Sequence, residues 1–240
     1  MAEPEFTPFQ RLLLRLRGPG FTPAWCIHLA LNALSPLAWL SARGWRGRTP
    51  PEQGWKLHLG CGPIYLPGWL NTELLPLWKK DCWIDLRHGL PFPDGSVRAV
   101  YANQVLEHFT HEDGTRLLAN CHRVLRPGGA LRLAVPDRFK AERAVVEKDR
   151  EFFTCQLDLP PETSLRDAAA EYLLCGGHHL VQYDFALLRD TLRLAGDWDV
   201  IEEADPGSPR VLTNREKELS ESRWPDIHRC CLVVEAVKAA

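Results

Sequence analysis

Short apolar runs separated by glycine and proline fill residues 55–137, and this alternation constrains the fold more than any other feature of the chain. Five runs have the length and composition of strands: 56–59, 69–73, 82–85, 97–101 and 130–135. Between the last two, residues 110–124 have helical spacing, with Leu117, Leu118, Cys121 and Val124 on one face. Strands that alternate with helices predict βαβ units and a mostly parallel sheet.

The rest of the chain continues this pattern and adds an extension. Residues 183–194 are predicted to form a helix, residues 198–202 and 230–237 two late strands, and the polar stretch 205–229 a long excursion. The first 50 residues are hydrophobic and end in the Gly- and Pro-rich stretch 44–51. We therefore predict an N-terminal helical extension over residues 1–50 and one α/β domain over residues 51–240.

The net charge and the cysteine content limit which partners and which cellular compartment are expected for the protein. The formal net charge of −2 and the lack of a basic patch predict no nucleic-acid partner. The eight cysteines show no Cys-x-x-Cys pairing, which in a chain of 240 residues indicates reduced thiols and a cytoplasmic protein.

The first strand ends in a Gly-Cys-Gly turn. Gly60 and Gly62 have no Cβ atoms, so the backbone there can turn sharply and lie against a ligand. A dinucleotide site would need a third glycine at position 65, which is Tyr. A plain tight turn is the competing interpretation of this motif.

Acidic residues end the next two strands. Glu73 could accept hydrogen bonds from ribose hydroxyls, and Asp85, followed by Leu86, could accept from an adenine amino group. Either acid alone is typical of a solvated strand end. Three such features on successive strands predict one ligand site, because ligands of open α/β sheets bind at the carboxyl ends of the strands.

Taken in order, these motifs resemble the class I S-adenosylmethionine (SAM)-dependent methyltransferases, and most of all a compact bacterial group of them. The motifs are Leu59–Pro63, Pro67–Glu73, Asp85–Leu86, Leu90–Ser96, Val105–His108 and Arg123–Gly129. The resemblance implies a Rossmann-like, seven-stranded, mostly parallel sheet with an antiparallel last strand. Two departures are the short gap between Gly62 and Glu73, and Glu where the group usually has Asp.

The resemblance also implies SAM as cofactor and assigns residues to it. The implied cofactor-binding residues are Gly60, Cys61, Gly62, Glu73, Leu74, Asp85, Leu86, Asn103 and Gln104. The turn at Asn103 and Gln104 would lie beside the methionine part of SAM or beside the acceptor.

Histidines supply the candidates for catalysis. A sulfonium methyl is already activated, so the protein needs a base only when the acceptor is an alcohol or an ammonium group. His178 and His179 are the best candidates, Tyr183 is a secondary one, and His108 could also reach the substrate. Packing, capping or surface roles are the alternatives for these histidines. A metal site using Cys175 with the two neighbouring histidines lacks a fourth ligand, so no metal is expected.

The extension has two interpretations. Residues 24–42 contain no Lys, Arg, Asp or Glu and follow three arginines, as in a membrane anchor, but Pro36 and several polar residues disfavour a spanning helix. We expect helices over residues 6–16 and 25–39 that cover the cofactor cleft or pack on the flank of the sheet. Weak docking on a membrane or a protein partner is the alternative.

These features favour a methyltransferase that acts on a small-molecule acceptor such as a sugar or a secondary-metabolite scaffold. A non-catalytic SAM-fold module that supports a partner enzyme is the alternative, although the cofactor motifs look undamaged. A nicotinamide oxidoreductase is disfavoured by Tyr65 and by the short gap before Glu73.

Overall fold

The computed structural model describes residues 24–154, 157–204, 210–221 and 227–240. Within these ranges seven strands form one sheet. They are β1 (Trp55–Leu59), β2 (Leu70–Glu73), β3 (Cys82–Trp83), β4 (Val97–Asn103), β5 (Leu125–Pro136), β6 (Trp198–Glu203) and β7 (Cys231–Lys238). Each strand predicted from the sequence is present, with ends displaced by a few residues.

The strands lie in the order β3-β2-β1-β4-β5-β7-β6. Pairings from β3 to β5 are parallel, and β7 is antiparallel to both of its neighbours. This confirms the predicted seven-stranded, mostly parallel sheet with an antiparallel last strand. The order reverses at β1 and β4, and ligands of open α/β sheets bind beside such a reversal, at the carboxyl ends of the strands.

Helices cover the sheet and connect its strands. They are α1 (Ala24–Arg43), α2 (His111–Val124), α3 (Arg138–Glu147), α4 (Arg150–Thr154), α5 (Leu165–Leu174), α6 (Phe185–Ala195), α7 (Asn214–Glu221) and α8 (Ile227–Cys230). The predicted helix over 110–124 is confirmed, and Thr110 caps it by accepting a hydrogen bond from the Asp113 N–H at 3.1 Å. The stretch 205–229, predicted to be an excursion, contains α7 and α8 in its described part.

The core contains a buried ion pair that joins β5 to β7. Arg132 and Glu235 are 1% and 0% exposed, and Nη1 of Arg132 lies 2.9 Å from Oε1 of Glu235. The two residues face each other in the register of the antiparallel pair. The guanidinium also lies 3.2 Å from Nε2 of His228. Because both charges are withdrawn from water, each depends on the other.

The predicted helix over 25–39 corresponds to α1, whereas residues 6–16 lie outside the described residues. Ala38 and Ala42 of α1 are buried, and Leu37, Trp39 and Leu40 are exposed. No described helix combines the length and apolar character that crossing a bilayer requires.

The cysteines depart in one place from the predicted pattern of reduced thiols. Cys61, Cys82, Cys121, Cys175 and Cys231 carry free thiols, whereas Cys230 is disulfide-bonded. Spacing along the chain reveals cysteine pairs only when they are close in sequence. A pair that the fold brings together from distant segments leaves no such signal.

Candidate functional site

The two glycines of the turn after β1 have different surroundings: Gly60 is tightly packed, and Gly62 faces open space. Gly60 has φ +56°, and a Cβ there would lie 2.7 Å from Cγ2 of Val105, so only glycine fits against the chain that follows β4. Gly62 has φ +51°, and a Cβ there would meet nothing within 4 Å. The turn therefore packs on the protein through Gly60 and presents Gly62 to open space.

Glu73, at the end of β2, ties this turn to the neighbouring strand. Its Oε2 accepts a hydrogen bond from the Gly62 N–H at 2.9 Å. Its Oε1 accepts from the N–H groups of Leu74 and Leu75, both at 2.9 Å. A carboxylate offers about four acceptor positions, so three backbone bonds leave it able to accept from a ligand.

Asn71 organises the loop between β1 and β2, a role that sequence reasoning missed. Its Oδ1 accepts from the Leu66 N–H at 2.8 Å and lies 3.1 Å from Nδ1 of His58. Its Nδ2 donates to the carbonyls of Leu66 and Trp69, both at 3.0 Å. Residue 71 follows a hydrophobic position in a short strand, and nothing in the local pattern distinguishes it from a solvated polar residue.

His58 lies in the interior beneath this loop. It is 3% exposed and stacks on Tyr101, with ring centroids 5.2 Å apart. Burial lowers the pKa of His58 to about 4, against a smaller opposite effect of its hydrogen bond to Asn71. The imidazole is therefore neutral at neutral pH and has a structural role.

Asp85 is occupied by a guanidinium. Nη2 of Arg87 lies 2.7 Å from Oδ2 of Asp85, and Nε lies 3.0 Å from Oδ1. Burial raises the pKa of Asp85, but hydrogen bonds from Arg87 and Ser35 outweigh it and hold the pKa below its usual value. The carboxylate that the sequence assigns to adenine is thus ionised and paired within the protein.

Helix α1 covers this acidic turn. Arg87 donates from Nη1 to Oδ1 of Asn32 at 2.7 Å, and Oγ of Ser35 lies 2.7 Å from Nε2 of His88. The space enclosed between α1 and Asp85 is about 20 Å³. That volume holds about one water molecule.

The chain just after β4 carries two further signs of a ligand-facing edge. Oδ1 of Asn103 is buried and has no hydrogen-bond partner among the described residues. Gln104 has φ 55°, a conformation rare for residues other than glycine. Its N–H donates to the carbonyl of Ala134 at 2.8 Å, and its Nε2 lies 3.3 Å from Sγ of Cys231.

Three histidine positions proposed for catalysis meet beside this edge. His108 and His179 lie edge to face, with ring centroids 4.9 Å apart. Nδ1 of His108 lies 3.1 Å from the carbonyl of His178. Burial and the neighbouring His108 lower the pKa of His179 to about 4. His108 is the most exposed of the three.

Glu107 lies beneath these histidines and was not among the predicted site residues. It is 0% exposed, and neither carboxylate oxygen has a hydrogen-bond partner in the described structure. Burial raises its pKa to about 8. Its carbonyl accepts from the N–H groups of Leu180 and Val181 at 2.7 and 3.3 Å, which joins the segment after His178 and His179 to the turn that follows β4. The motif Leu-Glu-His contains no signal that the acid points inward.

The remaining predicted residues support the edge rather than supplying reactive groups. Burial, assisted by the nearby Glu73 charge, raises the pKa of Cys61 to about 12, so its thiol stays protonated. Leu74 accepts a hydrogen bond from the Trp83 indole through its carbonyl. Leu86 packs against the core, and Tyr183 is fully buried with its pKa raised by burial.

Known proteins match part of the chain. Residues 83–133 match a family model described as a methyltransferase domain. A Mycolicibacterium smegmatis protein described as a probable S-adenosylmethionine-dependent methyltransferase is 36% identical over 90 residues, which cover 36% of this chain and 34% of that protein. The match therefore spans about a third of the length of this relative.

Two solved structures align with most of this chain at low identity. A Haloferax volcanii methyltransferase in complex with the Trm112 activator has a TM-score of 0.47 and 17% identity, over 90% of this chain and 97% of that chain. A SAM-dependent methyltransferase from Archaeoglobus fulgidus has a TM-score of 0.46 and 12% identity, over 95% and 99%. The likeness to methyltransferases depends instead on the motif order, the sheet order and the family model. These agree with the resemblance of the chain to class I SAM-dependent methyltransferases, and residues 83–133 are similar to the methyltransferase domain of that family model.

Proposed function

We propose that this protein binds SAM along the carboxyl edge of β1, β2 and β4 and transfers its methyl group to a small-molecule acceptor. One observation carries the proposal: the open Gly62 turn, the Glu73 carboxylate and the unpartnered Asn103 oxygen lie at the ends of three adjacent strands. A sugar or a secondary-metabolite scaffold is the acceptor class we favour, because a formal net charge of −2 disfavours a nucleic-acid substrate.

The side chains at this edge match the groups of SAM. Gly62 leaves room for close approach of the ligand to the backbone. Glu73 keeps acceptor capacity for the ribose hydroxyls. The buried Oδ1 of Asn103 needs a donor, and the ammonium group of the methionine part is one. Asp85 becomes available to the adenine amino group when Arg87 swings away.

Methyl transfer then depends on alignment. SAM supplies a methyl carbon bonded to a positively charged sulfur. The protein holds the acceptor atom in line with that carbon, which accounts for much of the rate of such a displacement. The acceptor oxygen or nitrogen forms the new bond to carbon while the carbon–sulfur bond breaks and its electron pair goes to sulfur. His108 and His178, beside this edge, would receive the proton of the acceptor or guide it to solvent.

Helix α1 acts as a lid in this proposal. Its contacts through Asn32 and Ser35 hold Arg87 and His88 over the adenine position, so cofactor entry displaces it. Residues 51–240 would form the methyltransferase domain and residues 1–50 the covering extension. Docking of the exposed Leu37, Trp39 and Leu40 on a membrane or a partner protein is the competing role of this helix.

Turnover with SAM carrying a labelled methyl group tests the activity. Monosaccharides, phenols and polyketide-like alcohols are incubated with the full chain, and the products are resolved by mass spectrometry. We expect at least one acceptor to gain a methyl group with equimolar S-adenosylhomocysteine, and Asn103→Ala to reduce that rate. Tight SAM binding without any methylated product across the panel would favour the non-catalytic module.

A further inference from the structure

The cluster of Glu107, His108 and His179 combines three donor atoms of the kind that bind transition metals. One ligand atom from each residue lies within 4.8 Å of the other two. Movement of each donor atom by about 1 Å would bring all three to the 2.0–2.2 Å bond lengths of a divalent ion. From this juxtaposition we infer that the protein holds a divalent transition-metal ion at Glu107, His108 and His179.

Glu107 is the independent observation in favour of a cation. Its carboxylate is fully buried, and both oxygens are without a hydrogen-bond partner in the described residues. A buried carboxylate without a partner destabilises a folded protein, whereas buried charges are normally paired or coordinate a metal. A bound cation supplies the missing partner at this position.

Both histidines are held through Nδ1 by backbone carbonyls. Nδ1 of His108 lies 3.1 Å from the carbonyl of His178, and Nδ1 of His179 lies 3.2 Å from the carbonyl of Leu173. A carbonyl only accepts, so Nδ1 of each imidazole is the donor at these two contacts. Metal-binding histidines commonly donate their second N–H to a backbone carbonyl in this way.

The donor set selects the class of metal. One carboxylate and two imidazoles suit Zn²⁺, Fe²⁺, Mn²⁺ or Co²⁺ better than Mg²⁺ or Ca²⁺, which prefer oxygen ligands. Three protein ligands leave coordination positions open, as in catalytic zinc sites. The metal site considered from the sequence combined Cys175 with His178 and His179 and was disfavoured because it lacked a fourth ligand. The cluster proposed here is a different one, since it contains Glu107, 72 positions before His179, and its open position is one that a catalytic metal requires.

The role of the metal rests on the proposed function, but its binding does not. The cluster begins two residues after Val105, which packs against Gly60. An ion there would bind the acceptor hydroxyl and favour loss of its proton to solvent or to His178, because a metal-bound His108 no longer accepts it. This would bias the enzyme toward oxygen acceptors.

Calorimetric titration of the EDTA-treated full chain with Zn²⁺ tests the site. We expect one Zn²⁺ per chain, confirmed by elemental analysis after desalting, and a loss of affinity of at least about 10-fold in Glu107→Gln and in His179→Gln. His111→Gln is the matched control, since His111 is an exposed histidine at the start of α2 outside the cluster. Unchanged Zn²⁺ affinity in both site variants, or no stoichiometric binding to the native chain, would overturn the inference.

Cobalt substitution checks the ligands without relying on activity. Co²⁺ bound by Glu107, His108 and His179 should give visible d–d absorption without the thiolate-to-cobalt band that Cys175 would produce. A thiolate band that persists in His179→Gln would contradict the assignment. S-adenosylhomocysteine binding, measured in parallel, should survive Glu107→Gln. If the native chain does not bind S-adenosylhomocysteine, that result would count against the proposed function and not against the metal site.

Discussion

The backbone N–H of Gly62 donates a 2.9 Å hydrogen bond to Oε2 of Glu73, which joins the glycine turn after β1 to the end of β2. Glu73 thereby holds the shape of the turn while keeping acceptor capacity toward its open side. Glu73 comes only eleven positions after Gly62, which is too short for the helix that often follows the first strand of such sheets. The side chain of Glu73 and the bonds of Asn71 supply the rigidity that a helix would otherwise provide.

Alanine at the two glycines should separate folding from binding. Gly60→Ala combines a positive φ with a Cβ at 2.7 Å from Val105, so we expect a loss of about 2–4 kcal/mol in the free energy of unfolding. Gly62→Ala has the positive φ alone and should cost about 1 kcal/mol, while weakening S-adenosylhomocysteine binding strongly. Urea unfolding and calorimetry measure the two quantities. Equal stability losses for both variants would contradict this account of the turn.

Releasing Arg87 from α1 should favour cofactor binding. Asn32→Ala removes the acceptor of the 2.7 Å hydrogen bond from Nη1 of Arg87, and we expect SAM to bind several-fold more tightly. Leu37→Ala is the control, because this exposed residue of the same helix should leave the affinity unchanged. Calorimetric titration with SAM reads out both. Weaker binding in Asn32→Ala would indicate that α1 supports the bound cofactor instead of obstructing it.

The buried ion pair between β5 and β7 should be sensitive to loss of either charge. Glu235→Gln leaves the Arg132 guanidinium buried with a neutral partner, and we expect the free energy of unfolding to fall by about 3–5 kcal/mol. Glu202 lies on the adjacent strand in register with Glu235 but is half exposed. Glu202→Gln should therefore lower the free energy of unfolding by less than about 1 kcal/mol. Urea denaturation compares the variants, and similar losses in both would refute the dependence of the core on this pair.

His58 should make stability depend on pH. Its pKa is about 4 in the folded protein and 6.5 in the unfolded chain, so the unfolded state binds more protons between these values. His58 should therefore raise the free energy of unfolding by about 3 kcal/mol between pH 4 and 6.5. Above pH 6.5 this contribution to stability should be complete. His58→Phe should flatten the profile in that window, and His111→Gln should not. Parallel profiles for the native chain and His58→Phe would contradict the assignment.

The strands and the long helix were predictable because each is specified locally, by apolar spacing and by turn residues such as Gly60 and Thr110. The strand-end positions of Glu73 and Asp85 follow from the same reasoning. Their hydrogen-bond partners do not, since Arg87 binds Asp85 and α1 contacts Arg87 only in the folded chain. The polar stretch that contains α7 and α8 gave no apolar period by which to recognise the helices.

The cluster of Glu107, His108 and His179 shows a second limit of prediction from sequence. His108 and His179 are single residues 71 positions apart in the chain, and only the folded loop brings their rings to 4.9 Å. Glu107 looked like an exposed acid because most glutamates are exposed. Its burial depends on the 3-10 turn Leu106–His108, which directs the side chain inward.

Calorimetric titration with S-adenosylhomocysteine tests the central claim most directly. We predict one binding site per chain, no detectable affinity for NAD, and an affinity reduced at least about 10-fold in Glu73→Ala but unchanged in Glu52→Ala, an exposed acid at the opposite end of β1. Binding that is absent from the native chain, or that survives Glu73→Ala unchanged, would contradict the assignment of this edge to SAM.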